Sequence, residues 1–275
     1  MKEFNENLSV AESISEIYAA FKLVCMRYQE FGYIADHDAH DLHFSPTVML
    51  PSSWILISRN RGEICGTGSL VLDSYVELPC ENTFSGQVQY LRSRGRKLCE
   101  GTMLAFKERS PRRASVDLIR HAIAVARFHQ VDDALIVANP RHASFWVDAL
   151  GGECLESANA CEYVNNAPGV LIRLPLREWF VTKSREIPQY FREDLTQVVE
   201  SIEAQRYQMS SEDVLGLLIR HRRVLSRMSS SVMQTLCRSY PILKHLKPHV
   251  PSRMDRDEPR ASCDFKEFQA GLLSA

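Results

Sequence analysis

Long apolar runs are missing from this 275-residue sequence, and no window approaches ~18 consecutive apolar residues, so nothing in it reads as a membrane span. The opening MKEFNENLSVAES has none of the apolar core that a secretory leader needs. Paired cysteine motifs are missing too. Cys25, Cys65, Cys80, Cys99, Cys154, Cys161, Cys237 and Cys263 never fall as CxxC and follow no secreted-scaffold spacing, which points to reduced thiols in a cytoplasm. Neither sign of charge dominates, with 33 Lys and Arg against 34 Asp and Glu. That balance gives no global case for nucleic acid, so a charged partner would have to be met by a local patch. The last absence is local: the segment FKERSPRRASVDL, from Phe106 to Leu118, contains no glycine.

What is present is an ordinary globular composition, 45% hydrophobic and 24% charged, in a chain long enough for one large domain with an appendage. Ile14, Ile17, Tyr18, Phe21, Val24, Cys25 and Tyr28 recur at helical spacing, which predicts an amphipathic helix over 10–30 capped by Ser9 or Ser13. SWILISRN, RGE and ICGTGSLVLDS predict a β-hairpin; Gly66 and Gly68 mark a bulge or a close approach to the backbone. A short helix over Phe84–Arg94 ends at Gly95, and KLCEGTMLAF reads as a strand ending at Phe106. A helix follows, with Ser115 or Asp117 in or just before its first turn. DDALIVAN reads as a buried strand, NPRHASFWVDALGG as a short helix closed by Gly151-Gly152, and the stretch to Leu174 as two more strands. The expected fold is α/β, a mixed sheet flanked by helices. Beyond residue 186 the periodicity is helical only. The expected organisation is a domain over 1–185, a helical extension over 186–246, and a proline-punctuated mobile tail over 247–275.

Three stretches invite chemistry. In the loop IADHDAHDLHF, His37, His40 and His43 recur every third residue among Asp36, Asp38 and Asp41. No second cluster completes a ligand set, so a solvated polar loop is the expectation and no metal site is assigned. Glu100 is an acid inside a largely apolar strand. Buried, it would be pushed towards a pKa at which it can take a proton from an ammonium group; facing outward, it would be an ordinary surface glutamate. Lys107, Arg109, Arg112 and Arg113 stand against Glu108 in the glycine-free segment, and Arg92, Arg94, Arg96 and Lys97 form a second run just upstream.

Val137-Ala-Asn-Pro-Arg-His, Phe145-Trp146 and Leu150-Gly151 together resemble the strand–helix unit near the end of an N-acetyltransferase-like (GNAT) domain. Tyr163-Val-Asn-Asn-Ala-Pro-Gly-Val-Leu-Ile-Arg-Leu looks like the closing segment of the N-acyl amino acid synthases, FeeM-like relatives of the acyl-homoserine-lactone synthases. That family resembles this chain in a Glu-x-Ser strand, here Glu100-Gly101-Thr102; Met103 stands where the lactone synthases usually carry arginine, which favours the amino acid version. The resemblance covers about residues 20–175. It implies a GNAT-like fold and N-acyl transfer from a thioester to the amino group of an amino acid. Glu100 and Thr102 would be catalytic, with Glu100 the general base, directly or through a water. Phe106, Arg109, Arg112 and Arg113 would bind the donor, and Asn139, His142 and Trp146 the substrate. Conventional acetyltransferases hold the coenzyme A pyrophosphate on a glycine-rich turn at a helix N-terminus. Its absence, with the local positive charge, points to acyl carrier protein as donor. Catalysis in the class that the resemblance implies is mostly positioning plus deprotonation, so no metal or redox cofactor is expected. Many acetyltransferases also place a tyrosine near the Trp146 position to protonate the leaving thiolate, which an indole cannot do. An acyl-CoA-dependent acetyltransferase and a non-catalytic binding protein on the same scaffold are the alternatives.

Overall fold

The computed structural model describes residues 8–34, 41–73, 77–181, 191, 195–221, 224–225 and 228–245. Seven strands form one mixed sheet: β1 (Leu8–Val10), β2 (Ser53–Asn60), β3 (Glu63–Leu72), β4 (Leu98–Phe106), β5 (Asp133–Ala138), β6 (Glu153–Cys161) and β7 (Ala167–Leu174). Their order is β1-β2-β3-β4-β5-β7-β6, and β4 and β5 run parallel while the neighbouring pairs around them are antiparallel. The expected α/β architecture is the observed one.

Local chemistry explains the connections. Arg61 and Gly62 both take positive φ (53° and 82°), as a two-residue hairpin turn between right-twisted strands requires. Asn165 and Asn166 do the same (55° and 56°) between β6 and β7, and asparagine tolerates that region better than most residues. Helix α1 (Ile14–Glu30) starts where expected, with the Ser13 hydroxyl accepting from the Glu16 N–H. Helix α2 runs from Glu81 to Ser93, three residues earlier than its periodicity suggests, because the chain kinks at Phe84 (φ −125°, ψ 36°). Between β4 and β5 lies α3 (Arg112–Phe128). After β5 come α4 (Pro140–Ser144) and a π-helical turn over Phe145–Ala149.

Two apolar layers cover the sheet. α3 packs over one face, with Leu118, Ile119 and Ile123 against Leu70, Cys99 and Ile136; the adjoining α5 (Leu176–Val181) and α6 (Thr196–Gln205) extend that layer. α1 and α2 cover the other, with Phe21, Val24 and Phe84 against Ile57, Met103 and Leu135. Into this second layer also fold α7 (Ser211–Arg220), opened by a Ser210–Asp213 capping box, and α8 (Ser230–Ser239). The apolar run over 230–246 is broken at Pro241, which cannot continue α8. Leu217, Leu236 and Leu243 are wholly buried, and each is worth roughly 1.5–3 kcal/mol in area removed from water. Polar links fasten the end of α8 and α6: the Tyr240 hydroxyl donates to the Met49 carbonyl (2.6 Å) and the Trp54 indole to Glu203 of α6 (2.8 Å).

Candidate active site

The two parallel strands part company halfway along. β4 and β5 stay in register from Leu98↔Asp133 to Gly101↔Ile136, and no pairing joins them beyond that point, although β4 continues to pair with β3 as far as Phe106. The parting coincides with a bulge. Met103 takes φ 56°, and the β3–β4 register slips between Thr67 and Ser69. Before the bulge Leu98 faces the α1 layer; after it Met103 and Ala105 do, so the alternation changes phase. Leu104 and Phe106 are thereby sent to the α3 side.

A cavity of about 510 Å³ fills the gap, large enough for a substrate of ordinary size. Its floor is built from small residues. A Cβ on Gly66 would lie 2.1 Å from the Phe106 ring, and one on Gly68 would lie 2.8 Å from Leu118, so these glycines make room for the side chains that line the α3 wall. Both expectations for them, a bulge and a close approach, hold. The opposite wall comes from the end of α1 and the turn after it, from the end of β6 and from β7: Tyr28, Phe31, Tyr33, Cys161 and Gly169.

Glu100 is 1% exposed, which excludes the surface reading. Its side chain lies behind the cavity wall, while Gly101 and Thr102 beside it line the wall. Oε2 accepts the Cys80 backbone N–H at 2.7 Å, supplied where α2 begins. Burial pushes its carboxyl up to about 8, opposed by the Cys80 hydrogen bonds and aided by the nearby Glu81 charge. The Tyr28 phenol and the Cys80 and Cys161 thiols all respond to this carboxyl. Burial raises each of them first and Glu100 raises them further. Of these groups, Tyr28 and Cys161 line the cavity.

On the other wall, Phe106 lies over Gly66 and Trp146 is buried against the α3 layer with its ring edge-on to Phe145 (5.2 Å). Asn139 and His142 also line the cavity. The Asn139 side chain is already engaged, capping α4 by accepting from the Arg141 N–H (3.2 Å). His142 Nε2 accepts from Arg141 Nε at 3.2 Å, and loss of solvent together with the Arg141 charge holds its imidazole below the usual range.

The basic segment is arranged differently from its sequence order. Arg112 and Arg113 are the first residues of α3 rather than a loop before it; Pro111 is the N-cap and offers no side-chain acceptor. Arg113 pairs with Asp117 (3.3 Å) one turn on, Lys107 reaches Glu63 (3.3 Å), and Arg109 is exposed. The turn between β4 and α3 needs no glycine, because no residue from Lys107 to Pro111 takes positive φ. The upstream basic run is not a free patch. Arg92 is held by Asp73 (2.8 Å) and Glu81 (2.6 Å), and Arg96 by Asp133 (2.6 Å) and Glu178 (2.8 Å).

His37 and His40 lie outside the described residues, as do Asp36 and Asp38. His43 packs against the Tyr28 ring (5.1 Å), and no group of three or more metal-binding side chains occurs among the described residues. Sequence reasoning missed Tyr28, Tyr33 and Arg141. Tyr28 reads as one more residue of an apolar helix face, and Tyr33 and Arg141 are 108 positions apart yet hydrogen bonded.

Among the described residues no helix is long and apolar enough to cross a membrane. Among solved structures the chain is similar to FeeM, an N-acyl amino acid synthase from uncultured soil microbes (22% identity, TM-score 0.57, 68% of this chain and 97% of that one). It is also similar to the AHL synthase LasI (13% identity, TM-score 0.44, 62% and 88%) and to the CoA-dependent acyl-homoserine lactone synthase MesI (12% identity, TM-score 0.42, 67% and 93%). No curated protein sequence matches it. The family model of the N-acyl amino acid synthase FeeM matches residues 19–175, more than half of the chain and the whole span of the cavity-forming elements from α1 to β7. The chain therefore belongs to the FeeM N-acyl amino acid synthase family and is an N-acyltransferase.

Proposed function

We propose that this enzyme transfers an acyl group from the phosphopantetheine of acyl carrier protein to the amino group of an amino acid, in the cytoplasm, without a metal or redox cofactor. The observation that carries the reading is a buried carboxyl with no cation beside it among the described residues, set behind a largely apolar cavity where two strands part. The cavity suits an acyl chain, since burial of apolar area favours its binding. The amine attacks the thioester carbonyl; the N–C bond forms and the C–S bond breaks. The proton shed by the nitrogen passes through a water or the Tyr28 hydroxyl to the ionised Glu100. The departing thiolate, with an ordinary pKa near ~8.5, leaves without an acid. Thr102 sits on the wall beside Glu100 and would orient that water, while Trp146 and Phe106 shape the acyl channel and Asn139 and His142 the acceptor end.

For the donor, Arg112 and Arg113 open α3 and exposed Arg109 precedes it, a positively charged sequence at a helix N-terminus where backbone N–H groups also favour an anion. A phosphopantetheine phosphate and an acidic carrier surface would supply that anion. Such contacts act mainly on association and weaken as salt screens them over ~8–10 Å. Reversing Arg112 and Arg113 to Glu should raise the apparent KM for acyl carrier protein far more than it lowers kcat, and the wild-type rate should fall as salt rises. Equal use of acyl-CoA and carrier-bound acyl groups, indifferent to salt and to the reversal, would replace the carrier by coenzyme A.

A further inference from the structure

The arginines of this molecule fall into two groups. Arg27, Arg59, Arg92, Arg96, Arg113 and Arg173 each meet a carboxylate. Arg141 meets none among the described residues, although it lies on the cavity wall. It is nevertheless held in one orientation. Nη2 donates to the Tyr33 hydroxyl (3.1 Å), Nε donates to His142 Nε2 (3.2 Å), and its Cζ lies 4.8 Å from the centre of the Phe31 ring. Arg27 sits at the same distance from that ring, but its charge is met by Glu30. A guanidinium that is steered by neutral partners keeps its full charge, and Nη1 has no partner among the described residues, so it and the second Nη2 hydrogen remain for a planar anion. Tyr33 packs edge-on to Tyr28 (5.5 Å), and both rings line the same cavity as Gly101 and Thr102, the residues next to Glu100.

We propose that Arg141, oriented by Tyr33 and His142, binds the carboxylate of the acceptor and is the residue that selects an amino acid over a plain amine. This rests on the amino acid reading given above. A fork–fork pair between guanidinium and carboxylate is stronger than a neutral hydrogen bond and cannot form with a carboxamide, which offers a single acceptor and no charge.

Wild type and Arg141→Met are assayed with a long-chain acyl carrier protein and, separately, acyl-CoA. The acceptors are the common amino acids and then the best of them against its own carboxamide. Arg141→Met should raise the KM for the free acid roughly ten- to hundredfold. It should leave the KM for the acyl donor and the kcat/KM for the carboxamide in place, so that the preference of acid over amide disappears. Tyr33→Phe, which keeps the ring but frees the guanidinium, should give a smaller shift in the same direction. Because Arg141 is exposed and on a short helix, the variant should melt where wild type does. The assignment is overturned if the donor KM moves instead, if acid and amide suffer alike, or if the preference survives. A wild-type enzyme that acylates plain amines as readily as amino acids would remove the carboxylate site and leave N-acyl transfer standing. One that acylates no amino acid at all would remove the proposed acceptor and this site with it.

Discussion

Glu100 and Asp133 lie on adjacent parallel strands, two register steps apart, and both are buried, at 1% and 0% exposure. Their surroundings are opposite. Asp133 meets two guanidinium groups, Arg96 at 2.6 Å and Arg173 at 2.8 Å, which themselves lean on Glu178 and Glu153. Glu100 meets the backbone N–H of Cys80 and, among the described residues, no cation, and burial pushes it up to about 8. A carboxylate that is clamped by cations ties the foot of β5 to β4 and β7. One that has only a dipole for company keeps a proton whose loss is worth little near neutrality, which is what a base needs. If Glu100 is the proposed base, burial alone does not separate a structural acid from a working one; the neighbours do.

The largest effect should follow from removing the working member. Glu100→Gln is nearly isosteric and should keep the fold while lowering turnover by about 10²–10⁴-fold, the usual contribution of a general base. An unchanged rate at neutral pH would sink the assignment. In the wild type, kcat/KM should climb with pH and level off above about 8, because only the ionised Glu100 can accept the proton. Stability should move the other way. The folded carboxyl holds its proton up to about 8, whereas an unfolded glutamate loses it near the ordinary 4.5, so raising pH between those values favours the unfolded chain. Denaturant titrations across that window should show stability falling with pH, and Glu100→Gln should flatten the curve.

Breaking the clamped member should give the reverse phenotype. Asp133→Ala leaves Arg96 and Arg173 facing each other with only the outer carboxylates, Glu178 and Glu153. The loss should be about 3 kcal/mol, at the low end for a broken buried pair because both arginines keep partial exposure and second partners. The fraction that stays folded should turn over normally. If Asp133→Ala lowers kcat without lowering the denaturant midpoint, the contrast between the two acids is wrong. A smaller and more local effect is expected at Gly66→Ala, whose new methyl would have to displace the Phe106 ring. That should reduce acyl donor use several-fold, most for the longest chains, with little change in acceptor KM.

Much of this was legible from one chain. The hairpin, its turn and the two glycines followed from spacing and residue type, and an acid in an apolar strand identified Glu100 before its burial was seen. What failed to show had one cause. Counting charges along the chain made a basic patch of Arg92 to Lys97, but Arg92 is neutralised by Asp73 and Glu81, and Arg96 by Asp133 and Glu178, all brought in by the fold. The phase change at Met103 was equally hidden, since no glycine or asparagine marks its positive φ. The wall that carries Tyr28, Tyr33 and Arg141 exists only because the end of α1 comes to rest beside α4.

The hydrogen bond from Tyr240 to Met49 spans 191 positions and joins the end of α8 to the helical turn that precedes β2. A ribosome adding about 5–20 residues per second needs roughly 10–40 s to cover that span. For all that time Phe21, Phe44 and Val48 wait without Leu217, Leu236 and Leu243, the residues that later cover them. The nascent chain therefore presents a sticky, half-built core for many seconds, and its yield in the cell should depend on chaperones that hold such surfaces and on the pace of translation through the codons for residues 211–245.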